Sequence, residues 1–244
     1  MEKIVSETKK LKNGYKVFFD DEPLSIQLEL DIYLKFHIKP GLSMDDKTYQ
    51  QMVKENNELH YKRLGIERLK KMQTEKELFD YLADKGCSRS LAKQLIQEYK
   101  DRRYVNDDEY TKIYVDIKKH QYGPMMIKAN LLKKGVDQVI IEKWLNKINQ
   151  EDILSHLVTK KMSSFRNKTK RQIMTATKTY FLSKGFSRDI IDSLIDTHMK
   201  DVTLDEYDIL SKAFDKLYVK LKDKKSGYEL KQTLKQKLYQ KGFS

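Results

Sequence analysis

The sequence predicts a mainly α protein of tandem three-helix units behind a small N-terminal β-hairpin/helix element. Three observations carry the prediction. Among 244 residues there are only 3 prolines and 9 glycines, and Leu, Ile, Lys, Glu and Gln are abundant, which favours helix over sheet. Hydrophobic residues (39%) recur at helical spacing among charged ones (35%), the pattern of amphipathic helices rather than of a disordered chain. A short pattern also returns four times: "LADKGCSRSLAKQLI" at Gly86, "LLKKGVDQVIIEKWL" at Gly135, "FLSKGFSRDIIDSLI" at Gly185 and "LYQKGFS" at Gly242, spaced by 49, 50 and 57 residues.

Residues 1–73 lie outside this period. "EKIVSETKK" and "YKVFFDD" are β-like runs flanking "KNG", a turn signal that joins them as a hairpin. "SIQLEL" is read as a further strand and "DIYLKFHI" as a short helix before the break at Pro40-Gly41. From Ser43 a single long helical pattern runs to Met72, with Ser43 as its cap and acids in its first turn.

Each letter of the recurring pattern has a physical role. The glycine takes the left-handed conformation that closes a helix. The lysine before it (Lys85, Lys134, Lys184, Lys241) places a cation in the last turn. An apolar residue follows (Cys87, Val136, Phe186, Phe243), then an N-cap for the next helix (Ser88, Asp137, Ser187, Ser244). The second helices repeat apolar residues at helical spacing: Leu91, Leu95 and Ile96; Ile140, Ile141, Trp144 and Leu145; Ile190, Ile191, Leu194 and Ile195. Third helices are expected in "NDDEYTKIYVDIKKH", with Tyr110, Ile113, Tyr114 and Ile117 on its apolar face, in "EDILSHLVTKKM", and in "LDEYDILSKAFDKLYVKL", whose length explains the wider last step. The units are therefore 74–122, 123–168, 169–224 and an incomplete fourth at 225–244, whose first helix carries Leu230, Leu234 and Leu238 on one stripe. This half-covered end is expected to be the least stable part, and the chain to be a shortened form of a longer protein.

Little in the sequence supports an enzyme, a cofactor or a metal. His37, His60, His120, His156 and His198 fall in different segments without metal-ligand spacing. There is no Gly-rich phosphate loop. Cys87 stands where other units carry Val or Phe, so a buried thiol is favoured over a nucleophile. Asp107, Asp108 and Glu109 mimic an acid/base or metal site, yet lie where a helix N-terminus favours acids. No apolar run approaches the ~20 residues of a membrane span, and "MEKIVSETKK" lacks a signal-peptide core. One cysteine suits a reducing compartment, so the expectation is a cytoplasmic monomer.

The formal charge of +13 favours an anionic partner. It concentrates in 123–168 (+5) and 225–244 (+4). The densest run, "KKMSSFRNKTKR" at 160–171, reads either as a solvated linker or as a phosphate-contacting segment through Lys160, Lys161, Arg166, Lys168, Lys170 and Arg171. A second stretch, "KKHQYGP", offers Lys118 and Lys119 beside Tyr122, a residue for the corner or for stacking on a base. The corner lysines likewise suit either the helix dipole or a stripe facing an anionic partner.

The succession "LADKGCSRSLAKQLI", "RRYVNDDEYTKIYV" and "YGPMMIKANLLKKGVDQVIIEKWL" resembles the RecX family of recombinase regulators from about Thr74 onward. The resemblance rests on Lys85 and Gly86, Tyr104 to Asp107, Gly123, the run from Ile127 to Val136 with Lys134 and Gly135, and the later corner Lys184-Gly185. Asn106 departs from the commoner Asp, a small change because either caps a helix. The first 73 residues look like the extension of longer family members. The resemblance implies an elongated, curved array of three-helix units. It implies binding to RecA and RecA–DNA filaments with inhibition of recombinase activity, a role in DNA repair, recombination and the SOS response, and in some members direct DNA contact. The alternative is a stand-alone DNA-binding protein using its helix–corner–helix units. A hydrolase or nuclease rests only on Asp107 and Asp108.

Overall fold

In the computed structural model of the protein, residues 2–20, 24–200 and 206–243 are described. Ser244 and the start of the third unit's last predicted helix, Leu204 and Asp205, lie outside them. The chain forms two compact units, 1–110 and 111–244.

The first unit opens with the expected hairpin, β1 (Lys3–Leu11) and β2 (Gly14–Phe19), followed by β3 (Ser25–Glu29) and α1 (Leu30–Lys35). The sheet is antiparallel in the order β3-β2-β1-β4. Its fourth strand was not foreseen: Ser43–Met44 (β4) pairs with Lys3 and Ile4. Ser43 is therefore not the cap of the long helix, α2 (Asp46–Arg68). Asp45 is, its Oδ1 accepting from the Thr48 N–H at 2.7 Å. One donor and one acceptor along β3 are met by α2: Asn56, itself buried, accepts from Glu29 N–H (2.8 Å) and donates to Gln27 O (2.9 Å). Val5, Val17, Phe19, Leu28, Ile32 and Met52 fill the space between sheet and helices.

Next come α3 (Glu75–Asp84) and α4 (Arg89–Asp101), closed around Leu78, Leu82, Cys87, Ala92, Leu95 and Tyr99. The Tyr99 hydroxyl donates to Lys62 O at 2.8 Å, and burial pushes its pKa up to about 12. Helix α5 (Asp107–Lys118) shows the clearest departure from the apolar-periodicity reading. Ile113 and Ile117 are exposed (36% and 59%), whereas Asp107, Thr111 and Val115 are buried. The Asp107 carboxylate accepts from the Glu75 N–H at the start of α3 (2.9 Å), and this anchors the rotation of α5. Periodicity alone ranks Ile above Thr and Asp and so picks the wrong stripe. Asn106 caps α5 through Asp108 and Glu109 N–H, as expected.

The second unit holds α6 (Pro124–Lys133), α7 (Gln138–Leu145), α8 (Gln150–Ser163), α9 (Lys170–Ser183), α10 (Arg188–Lys200), α11 (Tyr207–Leu221) and α12 (Gly227–Gln240). Leu154, Val158, Ile173, Phe181, Ile191 and Ile195 unite α8, α9 and α10. Equivalent ion pairs tie first to second helices: Lys128–Glu142 between α6 and α7 (2.9 Å), and Lys178–Asp192 between α9 and α10 (2.6 Å). No described residue of α11 is buried. On α12 only Leu234 is buried, with Leu230 and Leu238 half-buried, while Phe243 in the following corner is 8% exposed.

The four corners share one geometry. Gly86, Gly135, Gly185 and Gly242 have φ of +91°, +80°, +83° and +93°. In each, the glycine N–H reaches back three residues and the next N–H reaches back five, as in Gly86 to Ala83 O (2.9 Å) and Cys87 to Leu82 O (3.0 Å). This is the Schellman closure, with its accompanying apolar pair. Cys87 against Leu82 and Phe186 against Phe181, rings 5.8 Å apart, are two instances. Ser88 and Asp137 then cap the following helices through Leu91 and Val139 N–H.

Candidate functional site

The two basic stretches, 118–122 and 160–171, are some forty residues apart in sequence. Part of each meets in the second unit, on the walls of a cleft of about 450 Å³. His120, Gln121 and Tyr122 come from the turn after α5, Lys160, Lys161 and Ser164 from the end of α8, and Tyr180, Phe181 and Lys184 from the end of α9. Lysines lie across aromatic faces here. Lys161 Nζ is 4.3 Å from the Tyr180 ring centre, and Lys184 Nζ is 5.1 Å from Tyr122 and 5.7 Å from Tyr180. Among the described residues, none of Lys160, Lys161 and Lys184 forms an ion pair with a carboxylate.

The other candidates are placed differently. Lys119 is paired with Asp116 at 2.8 Å, which holds that carboxyl below its usual range. Lys118 is the half-buried last residue of α5. Arg166 donates to Ser163 O (3.1 Å), closing the end of α8. Lys170 is structural: its N–H donates to Glu206 Oε1 (2.5 Å) and its ammonium to Met199 O (2.8 Å) near the end of α10. Lys168 lies over Phe165 and Arg171 over Tyr239, and both line a separate cleft of about 590 Å³ with Gln172 and Lys241. Residues 160–171 are thus not one linker: only 164–169 connect two helices.

The sequence pattern groups Tyr122 with Lys118 and Lys119 and Lys184 with the corner residues, and it does not single out Tyr180. The signal for Tyr180 was its spacing, four residues before Lys184 on one helix face.

The motif residues serve the fold. Asp107 ties the start of α5 to that of α3, and burial raises its carboxyl pKa against that hydrogen bond. Tyr104 is half-exposed (54%), its N–H donating to Tyr99 O (2.7 Å) at a corner where Arg103, not glycine, has φ +60°. Gly123 donates to Lys184 O at 2.9 Å. Burial pushes the Cys87 thiol up, the opposite of activation. Among the described residues no three His, Cys, Asp or Glu side chains are grouped to hold a metal, and no helix is long and apolar enough to cross a membrane.

No family model matches the chain. It is 28% identical to the regulatory protein RecX of Streptococcus agalactiae over 98% of this chain and 94% of that one. It is 29% identical to the regulatory protein RecX of Bacillus cytotoxicus over 97% and 91%. The crystal structure of RecX from Lactobacillus salivarius matches with a TM-score of 0.55 and 28% identity, over 59% of this chain and 97% of that one. A second crystal structure of regulatory protein RecX, 18% identical, shares the fold with a TM-score of 0.58 over 80% of this chain. In sequence along nearly its whole length, and in its helical fold, the chain is similar to proteins named regulatory protein RecX.

Proposed function

We propose that this protein binds RecA–DNA filaments and inhibits recombinase activity. The observation that carries the reading is the near end-to-end similarity to proteins named regulatory protein RecX. Successive helix–corner–helix units suit a long, repetitive partner, because each unit presents equivalent surface at a regular step. The charge excess of the second unit suits a partner that carries phosphates. The alternative, a stand-alone DNA reader, is less favoured: none of the second helices, such as "QVIIEKWL" with its single Gln138, is rich in the Arg, Asn and Gln that read base edges.

The test is ATP hydrolysis by RecA on single-stranded DNA, with and without this protein, at two salt concentrations. Inhibition at substoichiometric or equal amounts is expected. Unchanged hydrolysis together with tight binding to free DNA would favour the stand-alone reader instead. Variants should spare Lys170, whose bonds to the Glu206 carboxylate and the Met199 carbonyl make it part of the fold.

A further inference from the structure

The cleft at the ends of α5, α8 and α9 combines three features that point to one ligand class. The first is uncompensated charge. Elsewhere lysines are commonly paired, as in Lys62–Glu98, Lys100–Glu75, Lys128–Glu142 and Lys178–Asp192. Lys160, Lys161 and Lys184 are not, among the described residues, although they approach one cleft from two helix ends. Three helix C-termini lie at its rim, each equivalent to about −0.5 charge, so three ammonium groups leave a surplus of about +1.5. The dipoles alone therefore do not account for all the charge.

The second feature is aromatic surface at the same place. Tyr180 is 40% exposed and Tyr122 half-buried, and both line the cleft with their rings beside the lysine ammoniums. A cation next to an accessible ring can hold a phosphate while the ring takes the face of an attached base. The third feature is size. About 450 Å³ falls within the ~300–1,000 Å³ typical of small-ligand pockets, which fits a nucleotide of an open strand and not a duplex.

We infer that this cleft binds single-stranded DNA, with Lys160, Lys161 and Lys184 on the phosphodiester backbone and a base stacked on Tyr180. Only the choice of DNA as the strand rests on the filament reading; the phosphate and stacking chemistry rests on the cleft. Lys119 and Lys170, held by Asp116 and by Met199 and Glu206, lie outside this contact set, and Tyr180 and Lys184 belong to it.

The experiment is fluorescence anisotropy with a labelled oligothymidylate, titrated over a range of salt with the full chain. The variant K160Q/K161Q/K184Q is expected to bind at least tenfold more weakly, and its log–log salt slope to fall by about 2, three contacts at about 0.7 each. Tyr180→Leu, which keeps all charges, is expected to lose at least fivefold with an unchanged slope. A charge-matched control on α12, K231Q/K235Q/K237Q, should change affinity less than twofold. Thermal melts identify any variant that fails to fold, and Tyr180→Leu keeps the test open should the triple variant do so. Equal losses in the cleft and control variants would mean net charge alone, and unaltered binding by Tyr180→Leu would mean no stacking; either result overturns the inference. RecA ATPase inhibition by the wild-type chain separates the two readings. Inhibition retained with cleft variants that still bind DNA sinks the cleft alone, and wild-type DNA binding without inhibition sinks the filament reading alone.

Discussion

Gly123 and Gly185 touch backbone to backbone. Gly123 precedes α6 and donates to Lys184 O (2.9 Å), while the Met125 N–H reaches Gly185 O (3.2 Å). A methyl group on Gly123 would sit 2.2 Å from the Gly185 carbonyl oxygen. The corner of one helical pair is thus seated on the start of the preceding first helix. The same contact recurs where Gly242 meets Thr169: a methyl there would lie 2.8 Å from Thr169 Oγ1, and Gln172 donates to Lys241 O at 2.9 Å.

Gly123→Ala is therefore expected to destabilise the protein by about 3 kcal/mol, the upper range for overpacking, because the obstacle is backbone. Gly123 has φ −77°, so conformational strain contributes nothing. Gly227→Ala, at φ +53° with open space around it, should cost about 1 kcal/mol. Urea unfolding of both variants checks the difference, and equal costs would refute the steric account.

At Arg103 the reverse change should help. This residue closes α4 at φ +60°, the position filled by glycine in the other four corners described above. Arg103→Gly is expected to raise stability by about 1 kcal/mol, the relief of a left-handed side chain. A lower denaturation midpoint would show that the arginine side chain contributes more than its strain costs.

Thr177 is fully buried, and its hydroxyl has no hydrogen-bond partner. It lies eight residues before its corner glycine, where the other three glycine corners are preceded by Leu78, Ile127 and Leu234. Thr177→Val keeps the shape and removes the unsatisfied group, so a gain of about 1 kcal/mol is expected. Calorimetry on the two proteins decides; an unchanged or lower Tm counts against it.

Asp107 should give stability a defined dependence on pH. Burial raises its folded-state pKa above the unfolded value near 3.8. The folded state then binds the proton more tightly, so this contribution is fully present below the unfolded pKa and is lost as pH rises through the raised one. Asp107→Asn removes that dependence and retains an acceptor for the Glu75 N–H. The wild-type protein should therefore gain on Asp107→Asn as pH is lowered from 7 toward 4, and Asp107→Ala should lose about 1–3 kcal/mol at every pH for want of the acceptor. Parallel unfolding curves for wild type and Asp107→Asn across this range would contradict the shift.

The helices, their corners, the hairpin and the caps Ser88, Asn106 and Asp137 were legible in the sequence because each is a local matter. A Schellman corner is written in six consecutive residues, and a hairpin turn in two or three. What depends on residues far apart in the chain was not legible. The pairing of Ser43–Met44 with Lys3 and Ile4 depends on where α1 delivers the chain. The inward face of α5 depends on the Asp107 bond to α3, and apolar periodicity alone cannot see a buried carboxylate. Lys170 looked like one more free cation until its carbonyl partner at Met199 and the Glu206 carboxylate were in place. The cleft also needed tertiary structure. Local rules put lysines at each helix C-terminus, but only the packing of α8 and α9 and the turn after α5 brings Lys160, Lys161, Lys184, Tyr122 and Tyr180 to one place. Sequence determined which groups sit at the ends of the helices; the docking of those ends decided which groups share a cleft, because convergence depends on packing distances that no local pattern encodes.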